Sequence, residues 1–301
     1  MKRILALIAE RTSIADKNWY LFHDLLSEEL KNTANVTMGE LKTLVFEMGD
    51  EGMRVYDPKY GFDLADFDLV VFKSIRQQYG RIAACASYLQ EKNIPYIDTR
   101  IQPGPWSKYS AQTMHREAGL PVIPAVFSSN DVLIERIKSG ALPFAYPMII
   151  KDVNGNKGKF NFIAHDASEA VATLSEYPEV EFMLQQFIPN NGDYRFLVLG
   201  GEVKMAILRK AQAGSHLNNT SKGAVAEGID VASFSREILD DLVLAAKTEQ
   251  LEVAGVDLII NRDTGRHYII EVNGSPQMAT GAMPDQKMAA YGDYLKQLLQ
   301  R

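Results

Sequence analysis

The chain contains a single cysteine, Cys85. It therefore closes no intrachain disulfide and assembles no thiolate metal site. The five histidines show no paired metal-ligand spacing. No apolar run is long enough to cross a bilayer. The opening stretch places Lys2 and Arg3 before a short apolar run, without the longer stretch and cleavage site of a signal peptide. The expectation is a buried first strand in a cytoplasmic protein with no membrane partner. Basic excess is absent too: Lys and Arg total 32 against 38 Asp and Glu, a formal charge of −6. That balance argues against nucleic acid as a partner, which needs a basic surface. No Gly-Lys-Ser/Thr follows a glycine-rich loop, so this is not a Walker A protein. The first strand lacks Gly-x-Gly-x-x-Gly, which disfavours a dinucleotide-binding Rossmann lobe. Ser107, Ser110 and Ser275 sit in no nucleophile elbow. No repeat or low-complexity tract occurs.

What is present is the composition of a globular protein, 46% hydrophobic and 23% charged. A chain of 301 residues is long for one core and implies two or three lobes. Strand and helix signals alternate over the first hundred residues. Ile4 to Ala9 reads as a buried strand, and Trp19, Phe22, Leu25, Leu26 and Leu30 recur at helical spacing. Leu41 to Glu47 and Leu69 to Phe72 read as strands of a parallel sheet. Arg81 to Lys92 reads as a helix, followed by a strand at Ile94 to Ile97. Residues 1–103 are thus an α/β lobe, ended by the breaker Gln102-Pro103-Gly104-Pro105. In 104–188 we expect a helix from Lys108 to Ala118, an extended Val122 to Phe127, and a helix from Asp131 capped by Asn130 or Ser129. Strands follow at Pro147 to Lys151, Phe160 to Ala164 and Phe182 to Ile188, with a helix from Ser168 to Leu174. In 189–301, Tyr194 to Leu199 and Val203 to Arg209 form a hairpin turning at Gly200-Gly201. A helix from Ser235 to Gln250, a second hairpin over Gly255 to Asn273 and a terminal helix complete an α+β lobe.

The second hairpin carries the most chemistry. Asp263-Thr264-Gly265 reads as a three-residue loop with glycine left-handed. Arg262 would then pair with Arg266, and Asp257 would face Glu271. Asn273 lies two residues beyond Glu271 on the same face, roughly 6–7 Å along the strand. Val256, Leu258, Ile270 and Val272 would cover the buried face. Opposed carboxylates repel, and a hard cation with oxygen ligands, Mg²⁺, would resolve the conflict; an ordinary solvated face is the alternative. His267 would share the face of Glu271 roughly 13 Å away, as a structural residue.

Lys151 ends an apolar strand, where an ammonium calls for an anion. The polar loop Asn154-Gly-Asn-Lys-Gly158 follows, able to cover phosphates with backbone N–H groups or to be a plain hairpin loop. A second polar stretch, Ser215 to Ala224, follows Arg209-Lys210.

Together these segments resemble the ATP-grasp superfamily, and most closely its RimK-like carboxylate–amine ligases. The resemblance runs from about Ser107 to Ala279. Ser107-Lys108-Tyr109 and Ala118 to Pro124 look like the lysine-bearing helix and the strand entry after it. Pro147 to Lys151 looks like the second lysine strand, and Leu184-Gln-Gln-Phe-Ile188 like the hinge that meets adenine. Gly192-Asp-Tyr-Arg195 resembles the motif whose acidic residue meets ribose. Ile207-Leu-Arg209 with Asn218-Asn219 resembles the arginine and its asparagine loop. Gly255-Val-Asp257 and Glu271-Val-Asn273-Gly-Ser-Pro276 resemble the metal signature. Two departures stand out. Gln186 replaces a hinge glutamate, which puts purine selectivity in question. The loop after Lys151 is poorer in glycine than the family's, so Lys157 or Lys159 would touch phosphate instead.

The resemblance implies an ATP-grasp fold, an α/β pre-grasp lobe followed by two α+β lobes clasping ATP. It implies Mg²⁺, with Mn²⁺ as a substitute and two ions in place, on Asp257, Glu271 and Asn273. Lys108 and Lys151 would neutralise phosphates, and Gln186, Phe187 and Ile188 would meet adenine. Asp193 would meet ribose, and Asn219 would assist at the phosphates. Arg209 would be catalytic, stabilising the transferring phosphoryl group and then the oxyanion. The reaction implied joins an amino acid to a peptide or protein, or cross-links within a peptide, through an acyl phosphate. Ligation of small amino acids, of the D-alanine or glutathione-synthetase type, and a silent ATP-binding scaffold are the alternatives. A homo-oligomer is expected from the family only.

Overall fold

The computed structural model describes residues 1–10, 16–50, 52–73, 78–98, 107–155, 160–210 and 225–300. The expected boundary at 103/104, Asn218, Asn219, Lys157 and Lys159 lie outside the described residues, as does the whole of the Ser215–Ala224 stretch.

The N-terminal lobe is built on β1 (Lys2–Ile8), α1 (Asp16–Leu30), β2 (Ala34–Glu40), β6 (Leu69–Phe72), α2 (Tyr79–Glu91) and β7 (Tyr96–Ile97). Its parallel sheet has the order β2-β1-β6-β7. Side chains of a strand alternate between faces, so a strand covered on both sides reads as unbroken apolar sequence. Accordingly Ile4 and Ala6 enter one core with Phe22 and Leu26 of α1. Leu5 and Leu7 enter the other, with Ile82 and Leu89 of α2.

The parallel reading of Leu41 to Glu47 is corrected. Leu41–Thr43 is a single 3-10 turn, and β3 (Val45–Gly49) pairs antiparallel with β4 (Gly52–Asp57) and, through it, with β5 (Phe62–Asp63) in a separate sheet. The parallel edge strand is β2 instead. Its Asn35, Thr37 and Gly39 dilute the apolar signal, and Gly39 is required, since a Cβ there would lie 2.8 Å from Phe62 and 2.9 Å from Leu7.

The central lobe comprises β8 (Ala125–Phe127), α4 (Asn130–Lys138), β9 (Met148–Asp152), β10 (Asn161–Ala164), α5 (Ala167–Glu176) and β11 (Phe182–Gln186), its antiparallel sheet in the order β10-β9-β11-β8. Helices α4 and α5 cover one face through Leu133, Ile137, Ala170 and Leu174. Ser129 is the N-cap of α4 but makes no side-chain cap bond. Asn130 spends its amide on the carbonyls of Leu174, Tyr177 and Val180, tying α4 to the end of α5. Helix α3 (Lys108–Glu117), which precedes this sheet, packs instead on α6 (Arg236–Thr248), where His115 and Glu249 form a buried pair at 3.2 Å.

The C-terminal sheet has the order β14-β13-β12-β15-β16, from β12 (Asp193–Leu199), β13 (Glu202–Lys210), β14 (Val225–Ile229), β15 (Val253–Ile260) and β16 (His267–Asn273). Leu242 and Ala245 of α6 pack under Phe196, Val198, Val256 and Leu258. Each buried Leu, Val or Phe among them contributes roughly 1.5–3 kcal/mol. The last helix, α7 (Pro284–Leu298), returns to α1, so Met288, Tyr291 and Leu295 share a core with Ile4 and Phe22. Asp98, at the end of β7, accepts from the backbone N–H groups of Glu252 and Val253, both at 2.8 Å. The first and last lobes are thus joined by one core and by this half-buried carboxylate.

The β15–β16 hairpin reaches the expected facing pair by a different route. Ile260 pairs with His267, and Asn261 bonds Arg266, so the turn is one residue longer than read and Arg262 does not oppose Arg266. A bulge between the Leu258–Ile269 and Asp257–Glu271 pairs takes up the difference. The extra residue, Ile270, leaves the helix-covered face and packs near Ile123, Ile188, Ile259 and Tyr268. The same shift turns His267 away from the face of Glu271; its Nε2 sits 2.7 Å from Asp241 of α6, a structural contact.

Candidate active site

The face of the C-terminal sheet opposite α6 carries a set of cross-strand charged neighbours. Asp193 and Arg209 are cross-strand neighbours, as are Arg195 and Asp257, and Asp257 and Glu271. Arg209 donates to both oxygens of Asp193 and, from Nη2 at 2.9 Å, to Asp257. Arg195 grips Asp257 in a fork, Nε to Oδ1 at 2.7 Å and Nη2 to Oδ2 at 2.6 Å, and Nη2 reaches Glu271 at 3.9 Å. Such two-pronged pairs are directional as well as strong.

The environment sets the charges. Burial pushes the Asp257 carboxyl upward, but the Arg195 and Arg209 guanidiniums outweigh it and hold it below the usual range. Asp193 is raised to about 6 by burial, opposed by Arg209 and reinforced by the charge of Asp257. Burial and the Asp257 charge raise Glu271, against Arg195, Lys108 and Lys151.

Two lysines approach from the other lobes. Lys151, near the end of β9, is 6% exposed, and burial with the neighbouring Lys108 charge pushes it down to about 8. Lys108 begins α3, set by a capping box between Ser107 and Ser110, and its Nζ donates to the carbonyl of Gly155. Burial lowers Lys108, while Glu271 and Asp152 raise it. The structure therefore brings Lys108, Lys151, Glu271, Asp257 and Arg209 to one region, across the lobes. Asn273 lies at the end of β16 opposite Gly255.

Other expected residues have other engagements. Asp193, read as a ribose contact, is buried with both oxygens committed to Arg209. At the hinge, the backbone N–H of Gln186 donates to Pro124 at 2.9 Å, and the carbonyl of Ile188 accepts from Asn190 at 2.8 Å. Phe187 lies half-buried between them.

Arg195 was not singled out in the sequence, although it lies two positions from Asp193 and hence on the same strand face. Lys287 of α7 gave no local signal. Its Nζ donates to the carbonyls of Gln277 and, at 2.7 Å, Thr280, pinning the loop after β16. Burial and the Arg195 charge push it down to about 8. Arg195, Arg209 and Lys287 line one small cleft with Gly255, Pro276 and Gln277.

Among the described residues no group of three His, Cys, Asp or Glu side chains is placed to hold a metal. An ion here would rely on Asp257, Glu271, the Asn273 amide oxygen, water and phosphate oxygens. That donor set fits Mg²⁺, which commonly uses one or two carboxylates plus substrate phosphates.

This arrangement, with Lys108 and Lys151 on elements that precede the C-terminal sheet and the carboxylates on that sheet, is an ATP-grasp fold. The structure of the ATP-grasp ligase PsnB complexed with minimal precursor, Mg and ADP superposes with a TM-score of 0.73 at 15% identity, covering 99% of this chain and 97% of that one. The chain belongs to the RimK-like ATP-grasp domain family, whose model matches residues 122–291. It is 33% identical over 164 residues to the probable alpha-L-glutamate ligase of Aeromonas salmonicida, covering 52% of this chain and 51% of that protein. It is 33% identical over 174 residues to the ribosomal protein bS6–L-glutamate ligase of Shigella boydii, covering 56% and 54%. The chain thus spans about half the length of these curated relatives. No helix among the described residues is long and apolar enough to cross a membrane.

Proposed function

We propose that this protein is an ATP-dependent carboxylate–amine ligase that extends or cross-links a peptide or protein through an acyl phosphate. The observation that carries the reading is the convergence of the buried Lys151 with Lys108, Glu271, Asp257 and Arg209 from separate lobes. A buried lysine whose protonation is depressed by burial and by a second lysine beside it is costly unless a polyanion lies between them. A triphosphate is such an anion. Membership of the RimK-like family supports the reading, as do relatives named for glutamate ligation.

A substrate carboxylate oxygen attacks the γ-phosphorus, a new O–P bond forms, and the bond to the β–γ bridging oxygen breaks to release ADP. An amine nitrogen then attacks the acyl carbon, the C–N bond forms, the C–O bond to phosphate breaks, and the nitrogen loses a proton to solvent or substrate. Lys108 and Lys151 orient and neutralise the phosphates. Arg209, aimed by Asp193, faces the charge that develops on the transferred group and on the tetrahedral oxyanion. Mg²⁺, when bound, neutralises phosphate oxygens. We assign it to Asp257, Glu271 and Asn273, with two ions and Mn²⁺ as a substitute. Gln186 to Ile188 line the adenine position.

The test is phosphate release from Mg-ATP with pooled amino acids and short acidic peptides. Release that depends on a substrate and is lost in Glu271→Gln supports the ligase; failure to bind Mg-ATP refutes it.

A further inference from the structure

A cleft of about 210 Å³ opens where the N-terminal lobe meets the loop after β16. It lies at the carboxyl ends of β1 and β6, where open α/β sheets take their ligands. At about 30 Å³ per water it holds roughly seven waters, the bulk of a free amino acid. Trp19 and Phe22 of α1 offer it an aromatic wall, and Ser275 and Thr280 border it with hydroxyl-bearing side chains.

One residue of this wall is unaccounted for by the chemistry above. Lys73, just beyond β6, is 5% exposed, and its Nζ has no hydrogen-bond partner among the described residues. The Tyr291 ring lies 5.8 Å from that nitrogen. Asp98 is near enough to act on it electrostatically, yet Asp98 Oδ1 is engaged with the backbone of Glu252 and Val253. A buried ammonium without a bonded acceptor is costly, and a ligand carboxylate removes the cost.

The position of the cleft fixes which carboxylate this is. Pro276 and Gln277 line it and also line the neighbouring cleft of Arg195 and Arg209. Lys73 borders only the first, and the two arginines only the second. A carboxylate on Lys73 is therefore separated from the phosphoryl-transfer residues and is not the one being activated.

We propose that this cleft is the subsite for the amine substrate, a free amino acid. Its carboxylate is held by Lys73, its side chain lies against Trp19 and Phe22, and its amino group is directed past Pro276 and Gln277 toward Arg209. The assignment rests on the ligase reading and makes Lys73 the residue that selects amino acids over simple amines.

The test is a binding experiment on the full chain with Mg-ADP present. Each common L-amino acid and its carboxamide is titrated by saturation-transfer NMR, and Mg-ADP affinity is measured separately. We expect one amino acid or a small set to bind, with the carboxamides weaker by about tenfold or more. Lys73→Met should cost a similar factor in amino-acid affinity and leave Mg-ADP affinity within about twofold. Asn18→Trp, at an exposed position of α1 on the rim, should narrow the cleft and give the same loss with Lys73 intact. Equal binding of acid and carboxamide, or unchanged affinity in Lys73→Met, would overturn the proposal and leave Lys73 as a counter-charge to Asp98. So would the absence of amino-acid binding to folded protein that turns over ATP. Failure to bind Mg-ADP strikes the ligase reading instead, and the amino-acid titration is then read on its own.

Discussion

Arg195 and Asp257 are locked face to face across β12 and β15, with both carboxylate oxygens held at 2.7 and 2.6 Å by one guanidinium. Asp257 is 4% exposed, so it relies on its arginines rather than on water. Removing one partner of a buried pair leaves the other charge uncompensated, at roughly 3–5 kcal/mol. Arg195 is partly exposed and Arg209 remains, so Arg195→Met should cost about 2–3 kcal/mol in urea unfolding. A double-mutant cycle with Asp257→Asn should give a coupling of about 2 kcal/mol. Additive effects would mean that the fork does not hold the carboxylate.

Glu271 stands opposite Asp257 but is far more open, its side chain 41% exposed. Glu271→Gln should change stability by no more than about 0.5 kcal/mol. Phosphate release from Mg-ATP should fall by about a hundredfold or more. Wild-type turnover in the variant would remove Glu271 from the metal site.

Lys151 should trade stability for binding. The unfolded chain keeps this proton up to about 10.5, whereas burial, with Lys108, releases it near 8 in the folded protein. Between those values the unfolded state binds more protons, so unfolding free energy rises with pH across that window. Lys73 and Lys287, also near 8, act in the same direction. Lys151→Met should therefore be more stable at neutral pH by about 2 kcal/mol and flatten the rise. Mg-ADP binding at about pH 8.5 should take up protons in the wild type, seen by calorimetry in buffers of different ionisation enthalpy. Lys151→Arg should lower that uptake, and an unchanged value would place the titration elsewhere.

Lys287 pins the carbonyls of Gln277 and Thr280, and Gln277 borders both clefts. Lys287→Met should loosen this loop and raise amide hydrogen exchange in 277–282 by about tenfold. The KM for the acceptor should rise more than the KM for Mg-ATP. Unchanged exchange would show that the loop is held by its packing alone.

Much of this protein was legible because its signals are local. The apolar β1, the glycine turn at Gly200-Gly201 and the helices with a covered stripe were read within their own segments. Glu271 facing Asp257 was read correctly for a reason the structure replaces. A turn one residue longer than expected is offset by the bulge at Ile270, and the two differences cancel at Asp257. They do not cancel for His267 and Ile270, which exchange faces. Register is a property of paired strands, and one residue inserted anywhere along the pair moves side chains to the other face.

The sequence by itself determined the kinds of side chain available: lysines at element ends, an acidic hairpin, arginines on an earlier hairpin, and no thiol or histidine set to compete with them. It also determined, through the order of its motifs, the family to which the chain belongs. Only the tertiary structure decided who meets whom. Asp193 and Arg195 are two residues apart in the chain, yet one is bound to Arg209 and the other to Asp257, because neighbouring strands on either side of β12 supply different partners. Lys73 and Lys287 carried no readable signal, since their meaning lies in burial against distant segments. The free energy of a buried charge is set by what surrounds it, and those surroundings come from parts of the chain that are close only after folding.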